Sequence, residues 1–229
     1  MIILDIIANN DWERPIYFVS PYGDSDVGLR DYLQLEGFAY KLVPIKTPSP
    51  DILNIGRIDS DNLYKKYMET YMWRGMQEKD VFIDHNNQRT AGVLRLRHNF
   101  TRLANQLIAE NKKDSAIKVL DRIVELMPQE KYPYDFYMIG IAEGYYKLNE
   151  TEKADSLLNE YIKYTEGNLK YLFSLTGKFS DLVDYDKQLN LQIMQELSGI
   201  ADKYGQPQTK TDLEQSMRKY MELYFQGYW

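Results

Sequence analysis

The chain of 229 residues has no cysteine, only 2 histidines, and no long apolar run. Without cysteine there is no disulfide, no zinc–thiolate or iron–sulfur site and no thiol nucleophile. A cysteine-free chain folds in reducing and oxidising compartments alike, so this absence leaves the compartment open. His85 and His98 stand thirteen residues apart with no second histidine at helical spacing, and neither completes a metal site. The most apolar stretch, Ile2–Ala8, is interrupted by Asp5. It falls far short of the ~20 residues a membrane span needs. It also lacks the basic flank and cleavage site of a signal peptide. Such an abrupt apolar opening reads as a piece cut from a longer protein. Cationic excess is missing too: 28 Lys+Arg face 34 Asp+Glu, giving a net charge of −6. This argues against bulk nucleic-acid binding.

What is abundant is aromatic. The chain has 20 Tyr, 8 Phe and 3 Trp. Tyrosine buries apolar area while its hydroxyl still needs a partner. So many tyrosines fit half-buried helix faces, a surface contacting peptide or carbohydrate, or both.

The pattern changes near residue 90. In 1–90, five of the eight prolines lie before residue 51, and short β-branched or aromatic runs (Ile16–Val19, Tyr40–Val43, Val81–Ile83) are bounded by Pro, Gly, Asp or Asn. Leu29, Tyr32, Leu33 and Glu36 recur at helical spacing ahead of Gly37, which predicts a helix there. A second helix is expected from Asp61 to Trp73. Residues 1–90 are thus expected to form a small α/β unit with about three strands.

Residues 91–229 read as almost wholly helical, and they repeat. Phe100, Leu103, Ala104 and Leu107, followed by Ala116, Leu120 and Ile123, recur 38 residues later as Met138, Ile141, Ala142 and Tyr145, followed by Ala154, Leu158 and Tyr161. Small residues let paired helices approach and large ones fill the groove between them. The pattern is similar to tetratricopeptide repeats. A long helix through Leu182–Tyr204, stopped by Gly205 and Pro207, and a last helix capped at Thr211 with Glu214 complete the domain. The fold expected is mainly α, tetratricopeptide-like helical repeats (91–229) behind a small N-terminal α/β unit (1–90).

No constellation carries catalytic chemistry. There is no phosphate loop, no dinucleotide fingerprint and no G-x-S-x-G. Asp24 and Asp26 resemble the start of a calcium loop, but Leu35 stands where the closing Glu belongs. No cofactor is expected. Binding candidates are three patches. From His85 to Ala109 there is no acidic residue, while Arg89, Arg95, Arg97 and Arg102 are present. Arginine forks suit phosphate or carboxylate, and they equally suit acids across a domain junction. Tyr132, Tyr134 and Tyr146 form an aromatic patch that would either pack or contact peptide or glycan. Trp73 with Arg74 would form a cation–π stack or a helix end. The tetratricopeptide clamp for a chaperone tail wants a lysine on the inner helix face; Thr101 and Asn105 stand there instead.

Three strings carry a resemblance: Trp12–Phe18, Asp31–Pro44 and Trp73–Met76. With them the chain, over about residues 1–175, resembles the C-terminal soluble region of a bacterial family of large polytopic membrane proteins. The N-terminal part of that family is similar to GT-C glycosyltransferases of the protein O-mannosyltransferase type. The resemblance implies a non-catalytic periplasmic appendage at the inner membrane. Its partners would be the membrane-embedded part of the same parent and an acceptor protein or glycan, with no nucleic acid. The alternative is an autonomous enzyme or sugar-phosphate or nucleotide binder using the α/β unit, with Arg14, Asp31, Glu36 and Trp73 as its site; Trp12 is a further binding candidate.

Overall fold

The computed structural model describes residues 2–19, 21, 26–48, 54–84 and 93–226. The chain is mainly helical with one small sheet near its N-terminus. It divides into two compact units, Met1–Pro128 and Gln129–Trp229.

In the first unit, α1 (Ile2–Ala8) precedes β1 (Tyr17–Phe18). A 3-10 turn over Arg30–Tyr32 leads into β2 (Leu33–Glu36), and β3 (Ala39–Leu42) returns beside it. β4 (Arg57–Ile58) completes a four-stranded sheet in the order β1-β3-β2-β4. β3 runs antiparallel to β1 and β2, whereas β4 is parallel to β2. α2 (Ser60–Lys65) follows, capped by the Asp59 carboxylate, which accepts from Asn62 N at 3.2 Å. It passes into a π-helical turn, Lys66–Thr70. α3 (Val93–Ala109) and α4 (Lys113–Leu126) then pack as an antiparallel pair.

The sheet departs from the expected pattern in two places. The helix predicted over 28–37 is instead the 3-10 turn and β2. Leu33 and Leu35 set a period of two that the coincidental spacing of Leu29, Tyr32, Leu33 and Glu36 conceals. All four β2 residues are buried, so polar Gln34 and Glu36 lie inside rather than marking a solvent face. The hairpin is closed by Gly37–Phe38, with Gly37 at φ +79, the left-handed value a two-residue hairpin turn wants at its first position. The strand predicted over Val81–Ile83 does not form: these residues pair with no strand among the described residues, and Phe82 is 86% exposed.

The second unit contains α5 (Met138–Lys147), α6 (Thr151–Ser174), the short α7 (Lys178–Leu182), α8 (Asp184–Lys203) and α9 (Pro207–Gln226). α5 packs on α6, α6 on α8, and α8 on α9. The capping box expected at Thr211 is not used. α9 starts four residues earlier at Pro207, whose missing N–H costs nothing in a first turn. The Thr211 hydroxyl donates to Pro207 O at 2.8 Å inside the helix.

The α3–α4 and α5–α6 pairs share their landmarks at an offset of 38 residues. α3 ends at Ala109 and α5 at Lys147; α4 starts at Lys113 and α6 at Thr151. Asn111 and Asn149 both take left-handed backbone, φ 59 and 63. Behind each, an N–H closes on the carbonyl five residues back: Lys112 to Leu107 at 2.8 Å, Glu150 to Tyr145 at 3.0 Å. Every large and small position of the repeated pattern is buried, Ala104, Ala116, Ala142 and Ala154 among them. Where alanine permits close approach, added volume has nowhere to go. Ala142→Leu should lower stability by about 1–3 kcal/mol, read as a reduced midpoint in urea with unchanged slope.

Candidate functional site

The α3 arginines do not share one surface. At 100° per residue, Arg95 and Arg102 fall on one face and Arg97 about 140° from Arg102. Arg97 is fully buried, and its Nη2 donates to Met127 O at 3.4 Å, tying α3 to the end of α4. Arg95 is half-buried. Arg102 turns toward the sheet. Its Nη2 donates to Gly56 O and, at 3.4 Å, to Asn54 O, which clips the β4 approach onto α3. Arg89 lies outside the described residues, as do His85 and Asp24.

Arg102 lines a cavity of about 530 Å³ beside β4. Opposite it stands Arg57, whose Nη1 donates to Gln34 Oε1 at 3.1 Å across the parallel β2–β4 register. The amides of Asn54, Asn105 and Gln106 and the hydroxyl of Thr47 fill out the polar wall, and no carboxylate stands among the described residues that line it. Gly56 makes the wall possible. Its φ is +81, and a Cβ there would meet the Tyr40 ring at 3.0 Å and Leu33 O at 3.3 Å. Two guanidiniums and three amides facing one space form a donor-rich pocket suited to an anionic group. The sequence pointed to Arg102, and to Asn105 only as an inner-face position, but not to Arg57, Asn54 or Gln106. Gly56 was the available signal, since an interior glycine beside a strand marks close backbone approach.

Behind the sheet lies a second cluster. Glu36 is buried and accepts hydrogen bonds from Tyr17 Oη and, at 2.8 Å, from Asn62 Nδ2, with Lys66 Nζ at 3.5 Å. Burial alone would raise its pKa, but these bonds together with the Lys66 and Lys41 charges outweigh it and hold the carboxyl below its usual value. The same bond to Glu36, then burial, pushes the Tyr17 phenol up to about 12. The neighbouring Gly37 carbonyl accepts from Tyr67 Oη at 2.9 Å and Asn99 Nδ2 at 3.4 Å. Trp73 donates to Tyr67 O at 2.8 Å and packs edge-on to Tyr67, Tyr71 and Phe100.

Residues 1–62 match the family model of TMEM260-associated domain 2. This segment is thereby similar to a domain of TMEM260-like proteins. No curated protein and no solved structure matches the chain. The segment that matches contains the sheet, Glu36, and one wall of the donor-rich cavity, made by Thr47, Pro48, Asn54, Gly56, Arg57 and Ile58; α3 provides the other.

The remaining candidates are dispersed. Trp12 and Arg14 are exposed ahead of β1, and Arg74 is exposed after the π-turn. The Asp31 carbonyl accepts from Thr47 N at 2.7 Å. Of the proposed enzyme set, Glu36 and Trp73 are joined through the Gly37–Tyr67 contact and committed to internal bonds. In the second unit Tyr132, Tyr134 and Tyr146 are buried. Tyr134 donates to Glu160 at 2.8 Å, and Tyr146 to Asp155 at 2.6 Å while stacking on Tyr204. Among the described residues no group of three His, Asp or Glu side chains could hold a metal ion, and no helix is long and apolar enough to cross a membrane.

One ionic tie borders the cavity. Glu110, at the end of α3, accepts from Lys112 Nζ and Ser60 Oγ at 2.8 and 2.6 Å and from Gln106 Nε2 at 2.8 Å. These bonds lower its pKa from 4.5 to about 2. A depressed carboxylate contributes stability above its unfolded pKa and loses it as pH falls through the folded one. Glu110→Gln should therefore cost stability at pH 7, by no more than about 1 kcal/mol for so exposed a network. The deficit relative to wild type should shrink from about pH 4.5 downward and vanish near pH 2. Urea titrations across that range check it.

Proposed function

We propose that the chain is a non-catalytic binding and scaffolding module of a membrane glycosyltransferase-like protein. It would stand on the periplasmic side of the inner membrane, with the membrane-embedded part of its parent as one partner and an acceptor protein or glycan as another. The match of the N-terminal segment to a TMEM260-associated domain supports the parentage. The two helix pairs with alanine at their contacts support a tetratricopeptide-like scaffold.

The observation that carries the binding role is the cavity between β4 and α3. It is large enough for a small ligand, and Arg57 and Arg102 both line it, with no carboxylate among the described lining residues. An anionic group of a substrate or partner, phosphate or carboxylate, matches that wall. The internal commitments of Glu36 and Trp73 weigh against the reading of an autonomous enzyme.

Thermal unfolding with glucose 1-phosphate, inorganic phosphate and citrate tests this. A probe at a hundred times its Kd should add about 2.7 kcal/mol. Arg57→Gln, which keeps a polar side chain beside Gln34, should lose that shift, and rising salt should weaken it in the wild type. Failure of every anion to shift the wild-type melt, or an unaltered shift in Arg57→Gln, overturns the assignment.

A further inference from the structure

The second unit holds a cavity that the proposed function does not use. It measures about 410 Å³ and lies where the end of α6, α7, the start of α8 and the end of α9 converge. Lys187 stands in its wall with only 7% of its surface exposed. Its ammonium contacts Ser180 Oγ at 2.6 Å, Ser180 O at 3.2 Å and the face of Phe173, 5.3 Å from the ring centre. All three are uncharged. A buried ammonium is costly unless an opposite charge or a full set of acceptors meets it. Among the described residues, no carboxylate forms an ion pair with it.

The rest of the lining narrows the ligand. Asp184 accepts from Gln188 at 2.7 Å and from Tyr224 Oη at 3.1 Å, and Asp181 is exposed at the mouth. Two carboxylates and one ammonium lining the same cavity disfavour a dianion such as a phosphate monoester and tolerate a single negative charge. They also offer acceptors to a donor carried next to that charge. Leu175, Leu223 and Phe173 supply an apolar wall, and Phe179, Leu182 and Tyr185 lie exposed on the same stretch of chain. A monoanion, an adjacent N–H and an apolar side chain occur together in one common chemical unit, an α-carboxylate on an apolar amino-acid residue.

We propose that this cavity binds the α-carboxylate of an apolar amino-acid residue, either as the free amino acid or as the last residue of a peptide chain. The carboxylate accepts hydrogen bonds from the Lys187 ammonium and from the Ser180 hydroxyl, which itself accepts from Lys187 and keeps its own O–H to donate. The adjacent N–H faces Asp181 and Asp184. The side chain packs on Leu175, Leu223 and Phe173. This site is independent of the β4 cavity.

Isothermal titration calorimetry on the full chain tests it with phenylalanine, N-acetyl-phenylalanine, N-acetyl-phenylalaninamide, and a Gly-Ser-Gly-Ser-Phe peptide with free or amidated end. Free carboxylates should bind at least tenfold more tightly than the matching amides. A preference for phenylalanine over its acetylated form identifies the amino acid as ligand; a preference for the peptide acid identifies a chain terminus. Lys187→Met should abolish binding and Ser180→Ala weaken it several-fold, while Arg57→Gln leaves it unchanged. Circular dichroism establishes whether Lys187→Met is folded; if it is not, the acid–amide comparison and Ser180→Ala decide. Equal binding of acid and amide, or no binding of any probe at millimolar concentration, overturns the proposal.

Discussion

The sheet depends on one buried carboxylate being fully met. Glu36 sits at the end of β2, where burial makes an ionised group costly. Tyr17 from β1, Asn62 from α2 and Lys66 from the π-turn each reach it. Strands of two to four residues have little ladder energy of their own. Here that deficit is offset by side-chain bonds converging on a single acceptor. The next residue extends the arrangement, because the Gly37 carbonyl takes bonds from Tyr67 and Asn99 and fixes the hairpin tip to α3. The donor-rich cavity exists because these anchors hold β2, and through it β4, against the helix that carries Arg102.

The helical part was legible in the sequence because its signal is redundant. Seven positions repeat at one offset, each buried, and the period of 3.6 is sustained over long segments. The left-handed Asn111 and Asn149 obey the same offset and were overlooked, although each stands five residues before a repeated alanine. The sheet was less legible. β4 has two residues, too few to show any period, and β2 is buried on both faces, so alternation of polar and apolar residues does not report which side is inside.

The sites were legible only in part. Arg102 stood out because acids are absent around it, but residue type alone does not separate a guanidinium that lines a cavity from one, such as Arg97, that ties two helices together. Lys187 gave no sequence signal. It lies among Asp184, Asp186 and Gln188, where a lysine ordinarily belongs to a solvated face, and only the packing of α6 and α9 around α8 encloses it.

The π-helical turn constrains how this protein can change. Between Lys66 and Tyr71 the backbone bond spans five residues, Tyr71 N to Lys66 O at 2.9 Å, so the turn holds one residue more than an α-turn would. That extra residue sets where the chain leaves the turn, and so how Tyr71 and Trp73 fold back on Tyr67. Side chains along it can be exchanged within limits of size. Its length is held more tightly: a lineage that gained or lost a single codon there would turn Tyr71 and Trp73 away from Tyr67 and Phe100, so the segment is more open to drift in identity than to drift in register.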